Sequence, residues 1–211
     1  MDRHLTASQA LARLREGNAR FVQHVMSLDA LLSHAQRAEQ ARAQHPFAVI
    51  LGCSDSRVPA EFVFDQGLGD LFVIRVAGNI AAPSQIGSVE FAVDRFGVKL
   101  VVVMGHSNCG AIRATLDYIQ QPGDASPGIL AIVDRIRPTL TSLVQGCDCH
   151  DQDTLMRNAV RANVRATVAH LRQSSALLER MHLSGELLIV GADYSLESGA
   201  VEFFEGVDSP A

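Results

Sequence analysis

The sequence lacks the features that mark membrane proteins and nucleic-acid-binding proteins. Its 211 residues include no tryptophan, and no apolar run approaches the roughly 18 residues that are needed to span a bilayer. Lys and Arg total 18 against 23 Asp and Glu, for a net charge of −5, and no basic cluster stands out. We therefore expect neither a membrane nor a nucleic acid among the partners of the protein.

Cysteine is also scarce, with four residues at positions 53, 109, 147 and 149. The first 21 residues are charged and amphipathic and lack the continuous apolar core of a signal peptide. Together these observations predict reduced thiols and a cytoplasmic location. Neither a P-loop nor a G-x-G-x-x-G motif follows a predicted strand, which counts against a nucleotide-binding module.

The sequence does contain short, continuous apolar runs, at 47–51, 71–76, 100–104 and 187–190. Runs without polar alternation are typical of parallel strands that are buried on both faces, and residues 200–204 could add an edge strand. Helical periodicity occurs at 7–26, about 28–43, 84–96, 109–120, 128–144 and 151–182. The alternation predicts one α/β domain over residues 1–211, with a mainly parallel central sheet of four to five strands flanked by helices and an N-terminal helical arm over 1–45.

Two of the predicted strands end in a glycine that is closely followed by a cysteine. AVILGCSDSR (48–57) places Cys53 and Asp55 after one strand, and VVVMGHSNCG (101–110) places His106 and Cys109 after another. Ligands of open parallel sheets bind at the carboxyl ends of the strands, so these side chains converge if the two strands are neighbours. Either cysteine alone would more simply be a small buried hydrophobe. Two thiolates with one imidazole suit Zn²⁺ and leave a fourth position open, as in catalytic zinc sites.

The paired motifs CSDSR (53–57) and HSNCG (106–110) resemble those of the β-class carbonic anhydrases. Looser matches are GDLFVIRVAGN (69–79), SVEFAV (88–93) and GADYSLESGAVEFF (191–204). The resemblance implies one Zn²⁺ per chain, held by Cys53, His106 and Cys109, and a zinc-bound hydroxide that attacks CO₂ to give bicarbonate and a proton. It also implies a homodimer or homotetramer with its sites at a subunit interface.

The resemblance also implies roles for the residues around the metal. Asp55 and Arg57 would form a catalytic dyad, in which the carboxylate accepts a hydrogen bond from the nucleophile; in some members the Asp instead becomes a fourth zinc ligand and closes the site. A salt bridge that only stabilises the loop is the simpler interpretation of this pair. The substrate-binding positions would be Gln44, Phe72, Ala77, Phe91 and Gly110, although Gln44 could equally be a solvated helix-end residue and the others core residues.

Some members of the family have a regulatory bicarbonate site that uses a Trp shortly before the first Cys. This chain has Ile50 in that neighbourhood and no Trp, so we expect the open, unregulated subtype. Arg75 and Tyr194 nevertheless match two other parts of the regulatory site. Two alternatives to CO₂ hydration stay open at this point: a CS₂ or COS hydrolase on the same scaffold, and a noncatalytic zinc-binding or assembly protein. The CDCH sequence at 147–150 is interpreted as a surface cluster rather than a second metal site.

Overall fold

The computed structural model describes residues 5–27, 41, 43–146 and 151–207. At its centre lies a five-stranded sheet in the order β2-β1-β3-β4-β5. The strands are β1 Ala48–Gly52, β2 Leu71–Arg75, β3 Leu100–His106, β4 Leu188–Tyr194 and β5 Val201–Glu205. The first four run parallel, and β5 pairs antiparallel with β4 at one edge. The predicted fold class, including the added edge strand, is confirmed.

Seven α-helices surround the sheet within the described residues. They are α1 Ala7–Val22, α2 Ala60–Val63, α3 Pro83–Phe96, α4 Gly110–Gln120, α5 Pro127–Gly146, α6 Gln152–Gln173 and α7 Ala176–Leu183. A single 3₁₀ turn, Ala77–Asn79, follows β2. Across the same described ranges, every helix is too short or too polar to cross a membrane.

Two helix predictions are wrong in detail. The helix predicted over 151–182 is two helices, because Ser175 leaves helical geometry and its side chain accepts a hydrogen bond from the Leu178 N–H to cap α7. The helix predicted over 7–26 ends at Val22, and His24 takes a left-handed backbone conformation with φ 58. The stretch predicted as helical at 28–43 lies almost wholly outside the described residues.

The two central strands are buried along their whole length, as their apolar sequences predict. Alternate residues of β1 and β3 face opposite layers of the core: Ile50 and Val102 on one side, Leu51 and Val103 on the other. Helix α6 lies against the second side at the level of Gly105 in β3, where an added Cβ would be 2.7 Å from a methyl of Val164. The missing side chain therefore allows α6 to approach the end of β3 that carries His106.

The described part of the N-terminal arm packs on its own chain. Asn18 of α1 is buried, and its Nδ2 donates to the carbonyl oxygens of Val63 (3.1 Å) and Gly199 (2.8 Å). Its Oδ1 accepts from the Val201 N–H at 2.8 Å. Arg20 adds an ion pair with the buried Asp65. These contacts connect α1 with α2 and with the β4–β5 hairpin.

Candidate metal centre

The carboxyl ends of β1 and β3 bring together three side chains that could hold a metal ion. These strands are parallel neighbours with Gly52 opposite Met104, so the residues that follow them meet at the same edge of the sheet. Cys53 comes directly after β1, His106 is the last residue of β3, and Cys109 is the residue that precedes α4. The sheet therefore positions this cluster through the pairing of two strands that are distant in sequence.

The cluster is compact and buried. One donor atom each from Cys53, His106 and Cys109 lies within 4.8 Å of the others, and the two Sγ atoms are 4.0 Å apart. The three residues are 5%, 0% and 1% exposed. The His106 Nδ1 lies 2.9 Å from its acceptor, the Ser107 carbonyl oxygen, so it carries the ring proton and leaves a lone pair on Nε2. Among the described residues this buried Nε2 has no hydrogen-bond partner, which is costly unless a further ligand takes the lone pair.

The two sulfur atoms influence the ionisation of each other across their 4.0 Å contact. A hydrogen bond from the Cys109 thiol is the main reason why the pKa of Cys53 is lowered, to about 4, and the Gly78 N–H lowers it further. The same bond, together with burial, raises the pKa of Cys109. The two thiols therefore do not ionise independently, and loss of a proton from one makes loss from the other harder. A divalent metal ion is the kind of group that would hold both as thiolates.

Asp55 and Arg57 form the pair that the sequence predicts. The guanidinium donates from Nε to Oδ1 at 2.9 Å and from a terminal nitrogen to Oδ2 at 2.7 Å. These hydrogen bonds lower the pKa of Asp55, so the carboxylate stays ionised. Asp55 lies beside the group of three ligands, with Oδ2 3.9 Å from His106 Nε2.

Arg75 has a role that the sequence does not reveal. At the end of β2, its Nε donates to the Cys53 carbonyl oxygen at 3.0 Å, and a terminal nitrogen donates to the Asp55 carbonyl oxygen at 2.5 Å. It therefore fixes the loop that carries both a metal-binding residue and the dyad. The register of β1 and β2 places Arg75 opposite Gly52, which sequence inspection alone could not supply.

The residues predicted to bind substrate do not all lie near the cluster. Ala77 and Gly110 are beside it, whereas Gln44 and Phe72 lie toward the amino ends of β1 and β2, away from the edge that carries Cys53 and His106. Gln44 is exposed ahead of β1, Ala77 lies in the 3₁₀ turn, and Gly110 begins α4. Phe72 of β2 contacts Phe91 of α3, with ring centroids 6.3 Å apart, and Phe91 is 50% exposed. Their roles toward a substrate stay predictions. The CDCH sequence at 147–150 lies outside the described residues.

Comparison with known proteins agrees with this geometry. Residues 48–201 match the sequence model of the carbonic anhydrase family. The chain is 40% identical over 190 residues to a carbonic anhydrase of Mycolicibacterium smegmatis, covering 90% of this chain and 89% of the relative. It superposes with a TM-score of 0.73 on a Coccomyxa β-carbonic anhydrase solved with acetazolamide, at 27% identity over 92% of this chain and 86% of that one. The chain belongs to the β-class carbonic anhydrases, a family of enzymes.

Other members of the class resemble the chain over most of its length. Carbonic anhydrase 2 of Mycobacterium tuberculosis is 42% identical over 194 residues, which cover 88% of this chain and 87% of the relative. The β-carbonic anhydrase CafA of Aspergillus fumigatus has a TM-score of 0.72 at 26% identity, over 96% of this chain and 92% of that one. The resemblance recognised from the two cysteine motifs is therefore confirmed.

Proposed function

We propose that this β-carbonic anhydrase catalyses the reversible hydration of CO₂ to bicarbonate and a proton, with one zinc ion per chain held by Cys53, His106 and Cys109. The observation that carries the proposal is the buried His106 Nε2, which lacks a hydrogen-bond partner among the described residues and lies beside two sulfurs. The curated relatives that are named carbonic anhydrases support the same reaction.

The donor set suits zinc. Two thiolates and one neutral imidazole are ligands that Zn²⁺ favours, and the two negative charges balance those of the ion. When bound, zinc supplies a Lewis acid that lowers the pKa of water enough for it to act as a nucleophile near neutral pH. A reducing compartment such as the cytoplasm would keep the Cys53 and Cys109 thiols free for the metal.

Asp55 is proposed to orient the nucleophile. Arg57 keeps this carboxylate ionised and donates one hydrogen bond to each carboxylate oxygen, and Oδ2 also faces His106. The remaining lone pairs can accept a hydrogen bond from the attacking oxygen and so direct a lone pair of that oxygen toward carbon. Because Arg75 holds the Cys53 and Asp55 carbonyl groups, the metal-binding and orienting residues keep a fixed relation. The open arrangement, with Asp55 bonded to Arg57, is the one that we propose to be active.

The remaining predicted residues would bind the substrate. CO₂ is small and apolar, so Ala77, together with the partner subunit's Phe72 and the partner subunit's Phe91, is proposed to shield it from water, because these two rings lie away from the cluster of their own chain. The Gly110 N–H and the amide of the partner subunit's Gln44 are proposed to donate to a CO₂ or bicarbonate oxygen, because Gln44 precedes β1 and lies away from the cluster of its own chain. Phe91 is half exposed in a single chain, and a homodimer or homotetramer that covers it is part of the proposal.

The deciding experiment is stopped-flow CO₂ hydration at about pH 8.5, with zinc content determined on the same sample. We expect about one zinc per chain, loss of activity on chelation and recovery when zinc is returned. Asp55→Asn should keep its zinc while losing activity by about 100-fold or more. His170→Ala, outside the cluster, is the matched control for a His106→Ala variant that loses both zinc and activity. Full zinc occupancy of the wild type without hydration above the buffer rate would refute the proposed activity.

A further inference from the structure

Two consecutive hydrogen bonds connect helix α6 with one of the metal-binding sulfurs. The Gly78 N–H in the 3₁₀ turn donates to Cys53 Sγ at 3.4 Å. The Asn163 Nδ2 in α6 donates to the Gly78 carbonyl oxygen at 2.8 Å, across 85 residues of sequence. Both bonds are buried, and Asn163 is only 3% exposed. The Gly78 residue is therefore fixed through the groups on both sides of its α-carbon.

The conformation of Gly78 leaves little freedom for its N–H. The residue is left-handed, with φ 70 and ψ 19, which a glycine adopts without strain. An added Cβ would lie 2.7 Å from Ile136 Cδ1 and 3.2 Å from the Ala111 Cβ, so α4 and α5 close the space around it. Packing thus limits movement of the α-carbon, while the bond from Asn163 limits rotation of the carbonyl group. The direction of the Gly78 N–H toward Cys53 Sγ therefore depends on this packing and on the hydrogen bond from Asn163.

An N–H bond to a thiolate withdraws charge from sulfur, so the thiolate donates less charge to a metal. In a site with two thiolates this partly restores the Lewis acidity that the sulfurs remove. We propose that Asn163 is a positioning residue of the metal centre, which acts through Gly78 to keep this N–H on Cys53 Sγ. The inference rests on the proposed metal site and adds a residue from a helix that carries no ligand.

Nuclear magnetic resonance of the isotope-labelled protein, loaded with an NMR-active cadmium isotope, tests both bonds directly. In the wild type we expect a scalar coupling between the Gly78 amide proton and cadmium, transmitted through the hydrogen bond to sulfur. A second coupling should join the Asn163 side-chain amide to the Gly78 carbonyl carbon. The absence of either coupling in the metal-loaded wild type overturns the proposal, whether or not any variant folds.

Variants then test whether Asn163 controls the first bond. Asn163→Asp keeps the shape and removes the donor, and Asn163→Leu removes polarity at similar volume. Thr167→Val is the control, since Thr167 is also buried in α6 at 5% exposure. We expect both Asn163 variants to lose the Gly78–cadmium coupling. They should also bind zinc about tenfold more weakly in chelator competition, because Cys53 Sγ is then no longer held in its binding position and this loss outweighs the stronger charge donation, whereas Thr167→Val keeps both properties. A purely structural role for Asn163 would lower stability and leave the coupling in place.

Two outcomes separate this inference from the proposed function. If the wild type binds zinc and hydrates CO₂, but the Asn163 variants keep the coupling and a zinc affinity within twofold of Thr167→Val, the positioning role alone is refuted. If the wild type binds neither zinc nor cadmium at the cluster of Cys53, His106 and Cys109, both proposals are refuted.

Discussion

Replacing Gly78 by alanine should destabilise the protein through two separable effects. The left-handed conformation costs a residue with a Cβ about 1–2 kcal/mol. The new methyl would also stand 2.7 Å from Ile136 Cδ1, where real Cβ atoms do not lie, and overpacking of this kind costs about 1–3 kcal/mol. We therefore expect Gly78→Ala to lower the free energy of unfolding by about 2–5 kcal/mol. Denaturant unfolding at fixed protein and zinc concentrations measures this difference.

A double-mutant cycle separates the two contributions. Ile136→Val removes the Cδ1 atom in the close contact and should itself cost about 0.5–1.5 kcal/mol. In that background Gly78→Ala should cost mainly the conformational part, about 1–2 kcal/mol, together with the milder contact with the Ala111 Cβ at 3.2 Å. Gly87 supplies the control, because its Cβ would meet nothing within 4 Å and its position is inside α3, so Gly87→Ala should stabilise by about 0.5–1 kcal/mol. The reasoning fails if Gly78→Ala costs the same in both backgrounds, within about 0.5 kcal/mol.

Three further perturbations have defined outcomes. Asn18→Ala removes three hydrogen bonds that join α1 to α2 and the β4–β5 hairpin, and should lower the free energy of unfolding by about 3 kcal/mol; an unchanged denaturation midpoint would contradict this. Arg75→Gln frees the Cys53 and Asp55 carbonyl groups and should weaken zinc binding in chelator competition, unlike Arg113→Gln on α4. Burial raises the pKa of Asp193, so the folded state binds its proton more tightly than the unfolded chain. Asp193→Asn should therefore have a larger free energy of unfolding than wild type near neutral pH. This difference should become smaller as the pH falls toward the ordinary Asp pKa of about 3.9, and a difference that grows on acidification would refute the raised pKa of Asp193.

The sheet and the clustering of Cys53, His106 and Cys109 could be predicted because their signals are local. Continuous apolar runs identify β1, β2, β3 and β4 to within a few residues, since runs of this short length are typical of strands buried on both faces. Each cysteine motif lies directly after a run, and the carboxyl ends of parallel strands share one edge. Because ligands bind at strand ends and because sulfur and imidazole are zinc ligands, these positions together predict a candidate metal site.

What could not be predicted depends on contacts between distant parts of the chain. The bond from Asn163 to Gly78 spans 85 residues, and nothing in the helical pattern around Asn163 distinguishes it from a core position. Arg75 matched a regulatory site by resemblance, whereas its observed bonds go to the loop after β1. The break between α6 and α7 did have a local signal, because Ser175 stands where an N-cap is expected, but the apolar periodicity continued across it.

The pairing of β1 with β3 would make metal binding at the cluster depend on the correct register of these two strands. Cys53 and Cys109 are 56 residues apart, and the β1–β3 register sets the distance between them. Side chains alternate along a strand, so a slip of one residue in β3 would turn His106 to the opposite face of the sheet and separate it from the two sulfurs. A metal ion that requires all three donors therefore stabilises the native register over its nearest competitors by mass action. A metal ion bound as proposed would also favour, among folding chains, those whose central strands are correctly aligned.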